Sequence, residues 1–196
     1  MRGYVISFPA IALTVSIAVS GISVPGTGNF RNESTPQTRK KPSSKNTLEY
    51  LKKEVRHELL TLPLYGIFDW LEAEIRYEDT VILRGQVIRP TTKSDAENRI
   101  KRIEGVEKVI NRIEVLPLSP NDDRLRRALY RALFNTNSTL FRYSMGANPS
   151  IHLIVKNGHA TLKGVVSNRG DSQIAYIKAR GVPGLFGVTN ELRIER

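Results

Sequence analysis

Along residues 81–88, VILRGQVI, apolar Val81, Leu83 and Val87 alternate around Gly85, the period-two pattern of a half-buried strand. Residues 160–167, ATLKGVVS, spell it again with Leu162, Gly164 and Val166. The two glycines stand 79 positions apart. The same offset joins Gly105 to Gly184, Val109 to Val188, Asn111 to Asn190, Ala96 to Ala175, Ile113 to Leu192 and Val115 to Ile194. An ungapped offset held over more than 30 positions marks two copies of one unit.

Helical spacing flanks each of these strands. Leu48, Leu51, Val55 and Leu59 recur on one face after Asn46, a capping residue with Glu49 three positions on. In the second copy Ser119-Pro120 offers an N-cap with proline at the first helical position, before Leu125, Leu129 and Leu133. Asn157-Gly158 is a strong hairpin turn, since both residues accept positive φ, whereas Glu78-Asp79 is a weaker one. A second helix is expected from the capping box Ser94 to Glu97, through Ala96, Ile100 and Ile103, to a left-handed cap at Gly105. In copy two Asp171 opens this helix, and Gly181 with Pro183 closes it. Each copy ends on a strand, KVINRIEV or GVTNELRI.

The expected fold class is therefore α+β: two αββαβ modules, each a three-stranded mixed sheet covered on one face by two helices. The helix between the last two strands makes a right-handed parallel crossover, which puts both helices on that face. Gly85 and Gly164 read as points where something packs close to the backbone or the strand bends. Asn111 and Asn190 read as side chains that satisfy nearby backbone groups.

Val81, Leu83, Gly85 and Val87, followed by Gly105, Val106, Val109, Asn111, Ile113 and Val115, resemble the motif of the BON domain, named for bacterial osmotic-stress and nodulation proteins. Ala160, Leu162, Gly164 and Val166, then Gly184, Leu185, Val188, Asn190, Leu192 and Ile194, carry it in the second copy. The resemblance covers about residues 47–196 and departs at Asp79, where the family usually has glycine. It implies an exported, non-enzymatic module that associates with phospholipid surfaces or envelope partners and is linked to osmotic or envelope stress.

Charge divides the copies. Residues 47–116 hold 12 bases and 13 acids, a net of −1; residues 117–196 hold 12 bases and 5 acids, a net of +7, within a chain of net charge +11. An anionic partner should meet the second copy first. The absence of cysteine excludes disulfides, a thiolate nucleophile and a cysteine zinc site.

The N-terminus has Arg2, an apolar run from Tyr4 to Val19, and small Ala18 and Ser20 before Gly21, the pattern of a cleaved secretory signal peptide. An uncleaved anchor is the rival reading; it needs roughly 20 apolar residues, and Ser7, Pro9, Thr14 and Ser16 dilute this run. The expected organisation is a signal peptide at 1–20, a flexible basic linker at 21–46, and modules at 47–116 and 117–196. Export to the periplasm is the corresponding localisation.

No enzyme motif is present. His57, His152 and His159 lack partners at metal-ligand spacing, and no phosphate-cradling loop or nucleophile elbow occurs, so no cofactor is expected. Glu72 and Glu74 on one strand face are interleaved with Arg76 and Arg84, as in a solvated mixed-charge surface. Two features remain. Arg124, Arg127 and Arg131 line one helical stripe beside Leu125, Ala128, Leu129, Ala132 and Leu133, an arrangement suited to an anionic membrane surface. A core-facing helix with a solvated edge gives the same pattern and is the commoner case.

The stretch TLFRYSM adds Leu140, Phe141, Arg142, Tyr143 and Met145; its counterpart LYGIFDWL holds Tyr65, Phe68 and Trp70. Such aromatics either plug the open end of a small core or sit at a headgroup layer. The candidate lipid site is thus Arg124, Arg127, Arg131, Leu140, Phe141, Arg142 and Tyr143. The expected partner is an anionic phospholipid surface or an envelope protein. Nucleic acid is not expected, because the glycine-bearing strands carry no stacking aromatics. The competing class is a structural scaffold whose modules stack into an oligomer, as in ring-forming secretion components.

Overall fold

In a computed structural model, residues 4–6, 44–76 and 79–195 are described. Their elements run β1 (Tyr4–Ile6), α1 (Ser44–Leu60), β2 (Trp70–Arg76), β3 (Thr80–Val87), α2 (Pro90–Ile100) and β4 (Lys108–Val115). They continue as α3 (Pro120–Leu133), a 3-10 turn (Phe141–Ser144), β5 (Ile151–Lys156), β6 (His159–Val166), α4 (Arg169–Arg180) and β7 (Gly187–Ile194). In each module the glycine-bearing strand is central: β2 pairs antiparallel and β4 parallel with β3, and β5 and β7 do the same with β6. The repeated αββαβ architecture is the one read from the pattern.

The apolar face of each first helix fills its module. Leu51, Val55 and Leu59 pack with Leu71, Ala73, Val81, Leu83, Ala96 and Ile100. Leu125, Leu129 and Leu133 pack with Leu153, Leu162, Val166, Ala175 and Ala179. The asparagine of each last strand ties that strand to the second helix. Asn111 donates to the Lys93 carbonyl and accepts from the Ile113 amide; Asn190 donates to the Ser172 carbonyl and accepts from the Leu192 amide. The hydrogen bonds repeat at the offset of the sequence, so these asparagines are structural.

The turn at Asn157-Gly158 forms with φ of 52° and 77°, and Asp79 also takes positive φ. Ser119 caps α3 by accepting from the Asp122 amide at 3.1 Å. Three helix starts differ from expectation. α1 begins at Ser44, so Asn46 lies inside it and the assigned linker loses its last three residues. α2 begins at Pro90, whose fixed φ nucleates the helix upstream of the Ser94–Glu97 box. Ser94 then donates to the Pro90 carbonyl, and Glu97 is occupied by Asn111 and Lys101. α4 starts at Arg169, with Asn168 as the cap and Asp171 as its amide partner at 2.8 Å. The helix ends also differ: α2 stops at Ile100, and Gly105 takes its positive φ of 93° beyond the cap.

β1 is an addition to the expected sheet. It pairs antiparallel with β2, placing Val5 opposite Glu74. The position 79 residues after Glu74 is Leu153 on β5, whose amide donates to the Ile67 carbonyl at 2.7 Å. An upstream segment therefore meets the free edge of each outer strand, where unpaired backbone groups would otherwise be exposed; β1 lies within the expected signal peptide, so it covers β2 only in the uncleaved chain. The proposed cleavage site at Ala18 and Ser20 and the linker up to residue 43 lie outside the described residues.

That edge contact belongs to an interface between the modules, and it corrects the reading of the first-copy aromatics. Ile67 and Phe68 pack against the core of module two, and Trp70 joins Leu116 and Ile154. Phe68 meets Tyr130 of α3 edge-on at 6.5 Å between ring centroids. The Asp69 carboxylate accepts from the Gly66 and Ile88 amides and fixes the segment that carries these side chains. Trp70 is buried and Phe68 half-buried between the modules, so both are engaged in protein packing and not in a headgroup layer.

His152 sits in this interface, 5.4 Å from the Tyr65 ring and 5.2 Å from the Trp70 ring, with Nδ1 at 3.2 Å from the Gly66 carbonyl. Desolvation lowers its pKa from 6.5 to about 4. An unfolded chain thus takes up a proton between these values that the folded protein refuses. Stability is full above pH 6.5 and falls as pH drops toward 4, by about 3 kcal/mol for this group. Asp69 works in the opposite sense, because burial raises its pKa and its protonation favours the folded state as pH falls. Thermal unfolding of the parent should weaken from pH 7 to 4, while His152→Gln should show a shallower decline; equal slopes would remove His152 as the cause.

Candidate functional site

α3 presents two faces. Leu125, Leu129 and Leu133 point into the core, together with Arg126, whose guanidinium donates to the Val155 carbonyl at 2.7 Å and pairs with Asp123. Arg124, Arg127 and Arg131 lie on the opposite, solvent face. Arg124 donates to the Asn121 side chain at 2.8 Å; among the described residues none of the three forms an ion pair. Three exposed guanidinium groups thus share one stripe, none of them in an ion pair among the described residues.

The other half of the expected site is built differently. Leu140 is fully buried and Tyr143 only 6 % exposed, both in the core of module two. The Tyr143 hydroxyl donates to Asp171 at 2.6 Å and accepts from the Ser167 amide at 2.9 Å. Arg142 bonds to the Tyr143 hydroxyl and pairs with Asp171, and these contacts raise its pKa and hold it charged. Phe141 is half-buried against the same core. This cluster closes the module at the N-terminus of α4. Leu140 and Tyr143 cannot reach a ligand there without unfolding, and Arg142 already has a carboxylate partner. The structure therefore separates the arginine stripe from the 140–143 cluster, which serves packing.

Sequence reasoning missed two groups. Asp122 is buried beside the stripe and accepts from the Asn157 and Gly158 amides at 2.9 and 2.8 Å, fastening the hairpin tip to the start of α3. Ile174 and Ile177 lie exposed on α4. They were legible only by subtracting one copy from the other, since Asp95 and Asn98 stand at those positions in module one. Among the described residues no cluster of His, Asp or Glu suits a metal ion, and no helix is long and apolar enough to cross a membrane.

A family model described as BON domain matches residues 68–117 and 121–196. No curated protein matches the chain. Two solved structures of CdsD, a structural protein of the type III secretion system of Chlamydia trachomatis, are similar to it at 12 % identity. One, of the C-terminal domain, aligns over 74 % of this chain and 96 % of that one; the other aligns over 74 % and 92 %. Both have a TM-score of 0.30.

Proposed function

The chain belongs to the BON-domain family, and from that premise we propose that it is an exported, non-enzymatic envelope protein that associates with anionic phospholipid surfaces through module two. The observation that carries this reading is the stripe of Arg124, Arg127 and Arg131, exposed and without ion-pair partners on α3. Each base near an anionic headgroup layer is worth about 1 kcal/mol. The stripe stands in the module of net charge +7, while module one is nearly neutral at −1. The two charges divide the labour: module one closes the edge of module two, and module two meets the surface.

The export reading rests on the small residues Ala18 and Ser20 following the apolar run. A link to envelope or osmotic stress comes with the family and would follow from a surface-binding role.

Co-sedimentation of the full chain with vesicles tests the reading. Phosphatidylglycerol vesicles should pull the protein down at low salt, and pure phosphatidylcholine vesicles should leave it in solution. Equal sedimentation with both would show that charge does not drive the contact. Discrete higher assemblies without lipid, and no binding to either vesicle, would favour the scaffold reading instead.

A further inference from the structure

Ile174, Ile177 and Phe186 are 38 %, 68 % and 77 % exposed, and none belongs to a core cluster. At the same fold positions, 79 residues earlier, module one carries Asp95, Asn98 and Glu107. The two modules share helix, loop and strand there, so the fold itself does not call for apolar side chains. One copy is polar at these two helical positions and one loop position; the other is apolar at all three.

The replaced positions on α4 belong to the same helical layer as the arginine stripe. α3 and α4 cover the same face of the sheet, with Leu125, Leu129, Ala175 and Ala179 turned inward, so their outward residues share the solvent side of one helical layer. Ile177 lies on that side of α4, as Arg127 and Arg131 do on α3. Phe186 stands at the hairpin tip, its amide donating to the Gly158 carbonyl at 2.9 Å and its ring 5.9 Å from that of His159, and the Gly158 amide is held in turn by Asp122 of α3. Exposed Arg180 borders Ile177 on α4. Exposed apolar groups on the same helical layer as arginines without ion pairs fit a surface that is anionic at the headgroups and hydrocarbon just beneath.

We infer that Ile174 and Ile177, with Phe186 at the rim, enter the headgroup–acyl boundary of an anionic bilayer and make the contact of module two resistant to salt. This rests on the lipid reading above and adds an insertion step to it. The arginines alone would give a purely electrostatic contact, which screening abolishes. Apolar burial is not screened.

The chain has no cysteine, so a single introduced one can be labelled without background. Ile177→Cys and its counterpart Asn98→Cys, each in the full chain, carry an environment-sensitive nitrobenzoxadiazole probe. On phosphatidylglycerol-containing vesicles with nitroxide on the acyl chains, the probe at 177 should shift to the blue and be quenched, and the probe at 98 should not respond. In parallel, the double variant Ile174→Ser, Ile177→Ser should bind at low salt but lose roughly tenfold or more of the parent's affinity at high salt.

Sedimentation of the parent with a silent probe at 177 would overturn insertion and leave the lipid reading intact. No sedimentation of the parent at all would overturn both. A blue shift at 177 that grows with protein concentration in the absence of vesicles would assign the face to a second copy of the chain and overturn the proposal.

Discussion

Gly164→Ala is expected to cost module two about 4 kcal/mol and to lower its melting temperature by roughly 20 °C. Gly164 has φ of 125°, a region that side chains with a Cβ rarely adopt. A Cβ there would also lie 2.0 Å from the Ser150 carbonyl oxygen. Neither obstacle can relax cheaply. Gly164 is paired with Ile151 across the β5–β6 ladder, and the Ser150 carbonyl accepts from the Val165 amide at 2.9 Å. Moving the oxygen breaks that bond, while moving the glycine breaks the ladder. Gly85 repeats the arrangement, with φ of 126° and the Trp70 carbonyl 1.9 Å from its notional Cβ. Calorimetry of the parent and Gly164→Ala checks the expectation. A variant melting within a few degrees of the parent would mean that the close approach is not required. The folded fraction of the variant should still bind vesicles, because Gly164 is on the sheet and the arginine stripe on the far side of the helices.

Most of the fold was written in the repeat. The glycine-bearing strand, the asparagine of the last strand and the spacing of Leu125, Leu129 and Leu133 each have a local cause, and each appears where the pattern put it. Helix starts were less legible because two local signals competed. At α2 the proline at 90 prevailed over the Ser94–Glu97 box, since Glu97 found Asn111 in a distant strand. Phe68 packs against the core of module two, and Trp70 bridges Leu116 of its own module to Ile154 of the other; no periodicity records a contact across modules. Leu140 and Tyr143 looked like surface candidates because an irregular segment has no period to tell inside from outside. Asp171, the partner that holds the Tyr143 hydroxyl, is 28 residues further on. Ile174 and Ile177 escaped because isoleucine on an amphipathic helix reads as core; only their counterparts in the first module mark them as unusual.

Replacing Arg124, Arg127 and Arg131 together by Gln should weaken binding to anionic vesicles on the order of a hundredfold at low salt. The three side chains are exposed and take no part in the core, so the variant should fold with the parent's stability within a few tenths of a kcal/mol. Gln keeps the length and helix propensity of the stripe while removing its charge, which isolates the electrostatic contribution. Raising the salt should bring variant and parent together, because screening removes the same attraction from the parent. Whatever affinity both then retain measures the apolar contact at Ile174 and Ile177. The deciding measurement is the low-salt affinity of the folded triple variant for phosphatidylglycerol vesicles, taken beside the parent. A loss near a hundredfold is the predicted result. Equal affinity would contradict the assignment of the α3 stripe as the surface by which module two meets the membrane.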